Sequence, residues 1–484
     1  MNNITIDDLK KRVCNYNKKN WPLIEKAYNY AKKYHAGQLR ASGDPYIVHP
    51  LNVSYILASM HADTDTLCAA LLHDTIEDTK STYEDIKNNF NETIAYLVDG
   101  VTKMTKMNLD NQDYVTASNI RKLIVSIRQD ARIIIIKLVD RLHNMRTLEY
   151  KSKKRQQEIA LETIEIYVPM AYYIGVYHIK DELENISFRY LKPDIYKDLE
   201  KKLTTIRIEN KKMLNKMVSD VKTRLNQEGI KCHIELRYKD TYSVYKKMIT
   251  KSTIDNIHDL LGINVTVKTV KDCYLALMYI HSMYPPVSYK FKDYIVKPKT
   301  NMYRALHTTV FSTNNRLVQF QIRTKEMDKI ASFGITSYWF KNRKFALQNM
   351  QNDLENKYQF FKSIKELDSS IIDNIEFVTQ IKKELFSSNV YVRSSIGEVI
   401  ELPVDSTPID YAYKIHTDIG NNMVAAIVNN EVVSFDYRLK NNDRIRLITD
   451  DRAYVAKAGW LDIAVTTRAK RKIAEFIRNH EKEE

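Results

Sequence analysis

The sequence predicts a multidomain chain: an all-α N-terminal domain, an α+β domain, a small β-grasp-like unit and a terminal helix. Three observations carry this. Apolar residues recur at helical spacing through roughly the first 200 positions, strand-like alternation sets in near residue 231, and short strands surround one helix after residue 389. At 484 residues the chain has room for two to four domains that each bury a core.

The first domain is expected over residues 1–195. WPLIEKAYNYAKKYHAG carries apolar residues at helical spacing and a Gly stop, and TDTLCAALLHDTIEDT opens on a Thr/Asp cap before an apolar face. The run IIIIKLV is β-branched enough for a buried strand, but its flanks, ARIIIIKLVDRLHNMRTLEY, continue a helical pattern and predict helix. A long charged helix follows from about 194 to 228, ending at Gly229. Over 196–340, IKCHIEL, LLGINVTVK and RLVQFQIRT read as strands, with YSVYKKM and DCYLALMYIHSMY as helices between them. Residues 341–388 read as charged linking helices. Over 389–450, VYVRSSIGEVIELP, MVAAIVNNEVVSF and DRIRLITDD are short strands around the helix PIDYAYKIHTD. Residues 451–484 form a tail whose TTRAKRKIAEFIRNHEKEE is a basic amphipathic helix.

Composition sets limits on partners and compartment. Lys+Arg 75 against Asp+Glu 60 gives a net charge of +15, which favours polyanions such as nucleotides, RNA or an acidic surface. A Lys-, Asn- and Tyr-rich chain with only 10 Gly is equally what an AT-rich genome encodes. The four cysteines, Cys14, Cys68, Cys232 and Cys273, form no CxxC pair, which argues against a disulfide framework or thiolate zinc site and for a reducing compartment. MNNITIDDLKKR lacks a signal peptide's apolar core and no apolar run approaches a membrane span, so a cytoplasmic protein is expected. The absence of a Gly-rich P-loop weighs against an ordinary NTPase.

The chemistry concentrates in three short stretches: His49 in YIVHP, His73-Asp74 in LLHDTIED, and Asp140 in KLVDRLHNMRTL. Two imidazoles and two carboxylates are donors that a divalent metal accepts while keeping positions open for water and a phosphate. Such a site suits hydrolysis of a phosphoester or pyrophosphate. Glu77 and Asp78 lie one helical turn beyond His73 and Asp74, placed to activate or orient the attacking water. Asp140, Asn144 and Thr147 share a helix face, a ligand followed by two neutral groups suited to a ribose or base. Taken singly, each feature is ordinarily structural: HD doublets are common, a His before Pro commonly caps a helix, and Asp-Arg pairs commonly sit on surfaces. Their joint spacing favours the metal.

These stretches, with GQLRASGDPYIVHP and ETIEIYVPMAYYIG, resemble the HD hydrolase domain of the RelA/SpoT homologues, long enzymes that make and degrade the alarmone (p)ppGpp. DYIVKPKTNMYRALHTTV and FQIRT resemble that family's synthetase domain, GEVIELPVDSTPIDYAYKIHTDIG its TGS domain, and AGWLDIAVTTRAKRKI the helical region that follows. The resemblance implies an all-α HD-type phosphohydrolase domain, an α+β nucleotidyltransferase-like synthetase domain and a β-grasp TGS domain. It implies that His49, His73, Asp74 and Asp140 bind Mn2+, and that Glu77 and Asp78 assist the water attacking the 3′-pyrophosphate. Arg40, Ser42, Asn144 and Thr147 would hold guanosine tetraphosphate. The family's usual His-Arg after IYxPxA is Tyr172-Tyr173 here, which puts contacts between domains in question.

The second site departs further from the family. Arg237, Lys239, Ser243 and Lys247 match its phosphate and ATP positions, and Asp259 matches the first Mg2+ carboxylate. Tyr303 matches the residue that stacks on guanine, and Lys299 and His307 also match. Yet Gln319 stands where the family has Glu, Asn264 where it has Arg, and Ser332 and Tyr338 where it has Glu and His. Lys290 replaces an Arg, while Leu236, Tyr238 and Asp240 occupy Gly, Pro and His positions. A neutral amide neither accepts a proton as a carboxylate does nor binds Mg2+ comparably. The expectation is a domain that still binds GDP or GTP, through a stacking face on Tyr303 and through Lys247, Lys299 and His307, but transfers pyrophosphate poorly or not at all.

One alternative is a bifunctional enzyme that also makes (p)ppGpp from ATP and GDP or GTP. Others are a nucleotide- or RNA-binding regulator, and an HD hydrolase acting on a different nucleotide. In the family, TGS domains meet the acceptor end of tRNA on the ribosome, and His416 matches the contacting residue. The run Arg468, Lys470, Arg471, Lys472 reads either as a track for RNA phosphates or as a solvated helix face. Longer members continue into further domains with a Cys-rich zinc unit, so ribosome sensing is expected to be reduced or absent.

Overall fold

The computed structural model describes residues 4–102, 117, 118, 120–122, 124, 125, 130–251, 254, 257, 259–299, 302–340, 373–382, 389–450, 456 and 458–480. The chain divides into two compact units, Met1–Thr105 with Ser126–Gln359, and Lys106–Val125 with Phe360–Glu484.

The first unit begins with helices α1 (Ile6–Asn17), α2 (Trp21–Tyr34), α3 (Val48–Ser59) and α4 (Thr64–Leu72). The α4 cap is Asp63, one residue before the expected start; its carboxylate accepts the Thr66 N–H and satisfies an orphan donor of the first turn. LLHDTIED is two helices rather than one. After α4 the chain turns through His73-Asp74 and restarts as α5 (Thr75–Asp78). The Asp78 N–H still donates to the Asp74 carbonyl at 2.9 Å, so the one-turn spacing survives the break. Helices α6 (Tyr83–Asn89) and α7 (Glu92–Val101) complete the shell.

IIIIKLV is helical, as its flanks implied: α8 (Arg132–Arg146) buries every residue from Ile133 to Val139 against α3, α7 and neighbouring elements. A helix apolar on all sides is one enclosed on all sides. After α9 (Lys153–Glu162) a π-helical turn, Thr163–Tyr167, leads into α10 (Val168–Tyr173) and α11 (Tyr177–Leu191). The long charged helix is α12 (Pro193–Gln227), and Gly229 leaves it at φ +74.

The mixed sheet of this unit comprises β1 (His233–Tyr238), β2 (Leu261–Val267), β3 (Lys292–Asp293), β4 (Leu306–Phe311) and β5 (Leu317–Thr324). Their order is β1-β2-β5-β4-β3, with β2 and β5 parallel and the other pairs antiparallel. Helices α13 (Thr241–Lys251), α14 (Val270–Met283) and α15 (Lys325–Phe333) accompany it. Ile263, Val265, Phe320 and Ile322 of the sheet share a core with Leu214 and Met217 of α12 and Ala276 and Ile280 of α14.

The helical and mixed-sheet parts meet backbone to backbone. Gly334 (φ +51) approaches Gly175 (φ +77) so closely that a Cβ on Gly334 would lie 2.3 Å from the Gly175 carbonyl carbon and the Ile174 oxygen. The Ile335 N–H donates to that same Ile174 oxygen at 3.0 Å, and a His178 ring nitrogen lies 2.9 Å from the Ser332 carbonyl oxygen. Tyr172 and Tyr173 immediately precede Ile174 and Gly175 in this junction, and the Tyr172 ring packs edge-on against Tyr177.

In the second unit α16 (Asn374–Ile381) is the described part of the expected linker; residues 341–372 and 383–388 lie outside the described residues. Strands β6 (Asn389–Ser394), β7 (Val399–Pro403), β8 (Met423–Val428), β9 (Glu431–Val433) and β10 (Arg444–Thr449) order as β7-β6-β10-β8-β9, with β10 parallel to β6. Two hairpins joined through a central parallel pair, with α17 (Pro408–Ile415) against the sheet, make the expected β-grasp unit. After α18 (Thr417–Asn421) and α19 (Trp460–Ile463), the terminal helix α20 (Thr467–His480) packs Ala469 and Ile473 on Tyr413 and Trp460.

Candidate metal centre

Two helices and the turn after α4 bring the predicted ligands together. His49 comes from the first turn of α3, His73 and Asp74 from the turn after α4, and Asp140 from the middle of α8. One donor atom from each of His49, His73 and Asp140 lies within 4.8 Å of the others, and all three residues are buried. Asp74 joins them. Its Oδ1 is 3.2 Å from His73 Nε2 and its Oδ2 is 3.6 Å from His49 Nε2. Asp140 Oδ1 sits 3.2 Å from His49 Nε2 and 3.8 Å from His73 Nε2.

The donor set fits a cation. His73 Nδ1 lies 2.8 Å from the Ala70 carbonyl and therefore carries the hydrogen, while His73 Nε2 is buried with no hydrogen-bond partner and aims at the carboxylates. Burial, the largest influence on His73, disfavours its charge, but Asp74 and Asp140 together outweigh it and push the group up to about 9. Burial lowers His49 instead. The two imidazoles face the same carboxylates and respond in opposite directions, because the carboxylates outweigh burial at His73 and burial outweighs them at His49. Burial also works against the ionised form of Asp140, yet the Lys137 ammonium, 3.0 Å from Oδ2, and the two imidazoles hold it well below the usual carboxylate range.

The predicted substrate residues line the rim. Asn144 donates to Asp140 Oδ1 at 2.6 Å and accepts from the Arg40 guanidinium at 2.9 Å, so ligand and rim are linked along one face of α8. Thr147 ends that helix with its hydroxyl near the carbonyls of His143 and Asn144. Ser42 donates to Asp44 at 2.7 Å in the exposed loop before α3. Glu77 and Asp78 are exposed on α5, one turn past the ligands.

Sequence reasoning missed three residues around this centre. The Tyr46 hydroxyl lies 2.9 Å from Asp74 Oδ2 and 2.6 Å from Asp78 Oδ2, a single phenol proton between a predicted ligand and a predicted catalytic carboxylate. Burial and the two carboxylates raise the Tyr46 phenol far above its ordinary value, so it stays a donor. Lys137 holds Asp140, and His143 Nδ1 lies 2.8 Å from His49 Nδ1. Each stands three positions from a ligand, Lys137 and His143 on α8 and Tyr46 in the turn before α3, and that spacing was the available signal.

The second site lies on the sheet of the same unit. Lys239 and Lys247 clamp Asp259 Oδ2 at 2.9 and 2.6 Å and, against its burial, hold it far below the usual range. Arg237 donates to the Gln319 amide oxygen at 2.9 Å, and the Gln321 amide donates to the same oxygen at 3.3 Å. Asn264 Oδ1 is buried without a partner. The Ser243 N–H is capped by Asp240, which gives that departure a local helix-starting role. Lys290 closes a short 3-10 turn.

Tyr303, expected to offer a stacking face to guanine, is enclosed in this structure. Its ring is 8% exposed. It is packed edge-on by Tyr177, Tyr294 and His307, and Lys299 lies over it at 5.2 Å. Its hydroxyl pairs with His307 Nε2 at 2.8 Å, and burial together with Lys299, Arg237 and Arg323 brings His307 down to about 3.

In the second unit His416 is exposed between α17 and α18, its ring accepting the Asp418 N–H. Of the basic run, Arg468 and Lys470 are exposed, whereas Lys472 pairs with Glu475 at 2.6 Å and Arg471 approaches it at 3.6 Å, so half of the expected phosphate track is engaged locally.

A helical domain with a buried His/Asp centre, a mixed-sheet domain and a β-grasp unit define a multidomain protein of the HD class. Family models match accordingly: an HD domain over residues 27–177, a region found in RelA/SpoT proteins over 236–344, and a TGS domain over 390–449. The chain belongs to the RelA/SpoT family. It is 40% identical over 466 residues to the GTP pyrophosphokinase of Myxococcus xanthus, covering 95% of this chain and 61% of that protein. It is 40% identical over 480 residues to the guanosine-3′,5′-bis(diphosphate) 3′-pyrophosphohydrolase of Aquifex aeolicus, covering 99% and 67%. With the bifunctional (p)ppGpp synthase/hydrolase SpoT of Escherichia coli it shares 38% over 458 residues, covering 94% and 65%. The chain thus spans about two thirds of the length of these relatives.

Proposed function

We propose that the chain is a Mn2+-dependent 3′-pyrophosphohydrolase of (p)ppGpp that acts in the cytoplasm, with a synthetase-like domain that has lost most or all of its transfer activity. The observation that carries this is the buried convergence of His49, His73 and Asp140, with Asp74 beside them. When bound, the metal supplies charge for the phosphate oxygens and an acidified water. The chain's own residues do the rest. His49, His73, Asp74 and Asp140 hold the metal, while Arg40, Ser42, Asn144 and Thr147 bind the guanosine polyphosphate. Glu77 takes a proton from the attacking water, and Asp78, paired through Tyr46 to the ligand Asp74, orients it.

Purified protein with Mn2+ and labelled ppGpp is expected to release GDP and pyrophosphate. Glu77→Gln is expected to keep metal and nucleotide but to lose roughly 10²-fold or more in rate, the size of a general acid–base contribution. Loss of metal from that variant makes Glu77 a ligand, and absence of ppGpp hydrolysis by the wild type removes the proposal. The bifunctional reading is favoured by the E. coli relative, whose name carries both activities.

The exposed cations Arg468 and Lys470 and the exposed His416 support a tRNA or ribosomal partner for the second unit. Binding to tRNA is expected to weaken steeply with salt. Ala at Arg468 and Lys470 is expected to flatten that dependence, by about one unit of slope for each phosphate no longer neutralised. No binding at low salt returns α20 to a purely packed helix.

A further inference from the structure

We infer that His143 is the positioning residue for the metal-ligating imidazole of His49, accepting the His49 Nδ1–H so that the His49 Nε2 lone pair faces the cation. The inference rests on the metal-centre reading and assigns a role to a residue outside the ligand set.

Geometry allows one proton arrangement for a ligating His49. Its Nε2 is the nitrogen at the cluster, 3.2 Å from Asp140 Oδ1 and 3.6 Å from Asp74 Oδ2. Its Nδ1 lies 2.8 Å from His143 Nδ1, with both residues buried. One proton fits between two such nitrogens. If His143 donates, neutral His49 carries its hydrogen on Nε2 and has no lone pair for a metal. If His49 donates, Nε2 is free to ligate and His143 holds its own hydrogen on Nε2. The partner ligand His73 solves the same problem with a backbone carbonyl, that of Ala70, which can only accept. His49 relies on a side chain that can do either, so its tautomer depends on His143 remaining the acceptor.

The ligands and their anchors form a closed shell around the cluster. Asp140 is held by Lys137 and Asn144, Asp74 by Tyr46, His73 by Ala70 and His49 by His143. Such outer partners fix ring orientation and tautomer, and their loss costs roughly 10–100-fold in metal affinity or activity.

The test pairs two substitutions with two readouts. His143→Asn keeps an acceptor oxygen near the Nδ1 position, whereas His143→Leu removes it. Competition of the full-length protein with a chelating dye for Mn2+ is expected to show roughly 10–100-fold weaker binding for the Leu variant. The Asn variant should recover most of that loss. Long-range 1H–15N spectra of the wild type loaded with Zn2+, a diamagnetic divalent ion, are expected to show the His49 proton on Nδ1 and the His143 proton on Nε2, a readout that holds even if the Leu variant fails to fold. A wild-type His49 protonated on Nε2 overturns the inference, as does a folded Leu variant that binds Mn2+ as tightly as the wild type. Tight Mn2+ binding without ppGpp hydrolysis instead counts against the proposed activity and leaves the His143 result to stand by itself.

Discussion

Asp74→Ala and His49→Ala are each expected to strip the protein of Mn2+ and to bring ppGpp hydrolysis to background while the helical domain remains folded. The loss should exceed the roughly 10–100-fold that outer partners of a metal cost, because these residues supply the donor atoms themselves. The fold is expected to tolerate Asp74→Ala because Asp74 stands before the four-residue α5 without a side-chain capping bond and lies outside the buried set Leu67, Leu71, Ile134 and Leu138 of α4 and α8. His49→Ala is the harsher change. It opens a buried space and removes the partner of His143. Metal content by mass spectrometry, hydrolysis of labelled ppGpp and far-UV circular dichroism read the three consequences separately. Full hydrolysis by either variant in chelator-treated buffer would sink the assignment.

The second large effect is an absence. With ATP, GDP or GTP and Mg2+, the wild-type chain is expected to make little or no (p)ppGpp. Asp259 is an anion already gripped by Lys239 and Lys247, and the neighbouring position that could share metal charge or take a proton is the neutral Gln319, which accepts from Arg237 and Gln321. Losing a base of this kind removes roughly 10²–10⁴-fold in rate. Gln319→Glu is expected to restore part of the transfer, since its carboxylate would face Arg237 directly. Asn264, with its unpartnered buried oxygen, and Ser332 and Tyr338 stay changed and keep the rescue incomplete. A guanine can reach Tyr303 only if the rings and the Lys299 ammonium around it move, so calorimetric GDP binding is expected to be weaker than an open face would give. Robust synthesis by the unmodified protein would make the bifunctional reading correct.

Periodicity made most elements legible. The flanks of IIIIKLV outweighed its β-branched content, and α8 is a helix because its surroundings bury every side. The strands of IKCHIEL, LLGINVTVK and RLVQFQIRT alternate or cluster openly. Strand β4 escaped notice because the buried hydroxyls of Thr308 and Thr309 interrupt its apolar pattern. The break at His73-Asp74 was equally hidden, since both residues keep helical backbone angles while the regular hydrogen-bonding pattern lapses.

For the site, sequence showed which donors share a region. It could not show which oxygen of Asp140 meets Lys137, or which nitrogen of His49 meets His143, because those depend on rotamers set by packing between distant helices. The closed state of Tyr303 was invisible for the same reason: Tyr177 arrives from a helix more than a hundred residues away in the chain.

The clasp of Gly175 and Gly334 works as a key and its ward. No side chain takes part in its closest approach, which is backbone against backbone. The fit admits no added carbon: a single methyl on Gly334 would stand where the Gly175 backbone already is, on a backbone turn that resists any side chain at all. A seam cut this way leaves its own two residues no room to change.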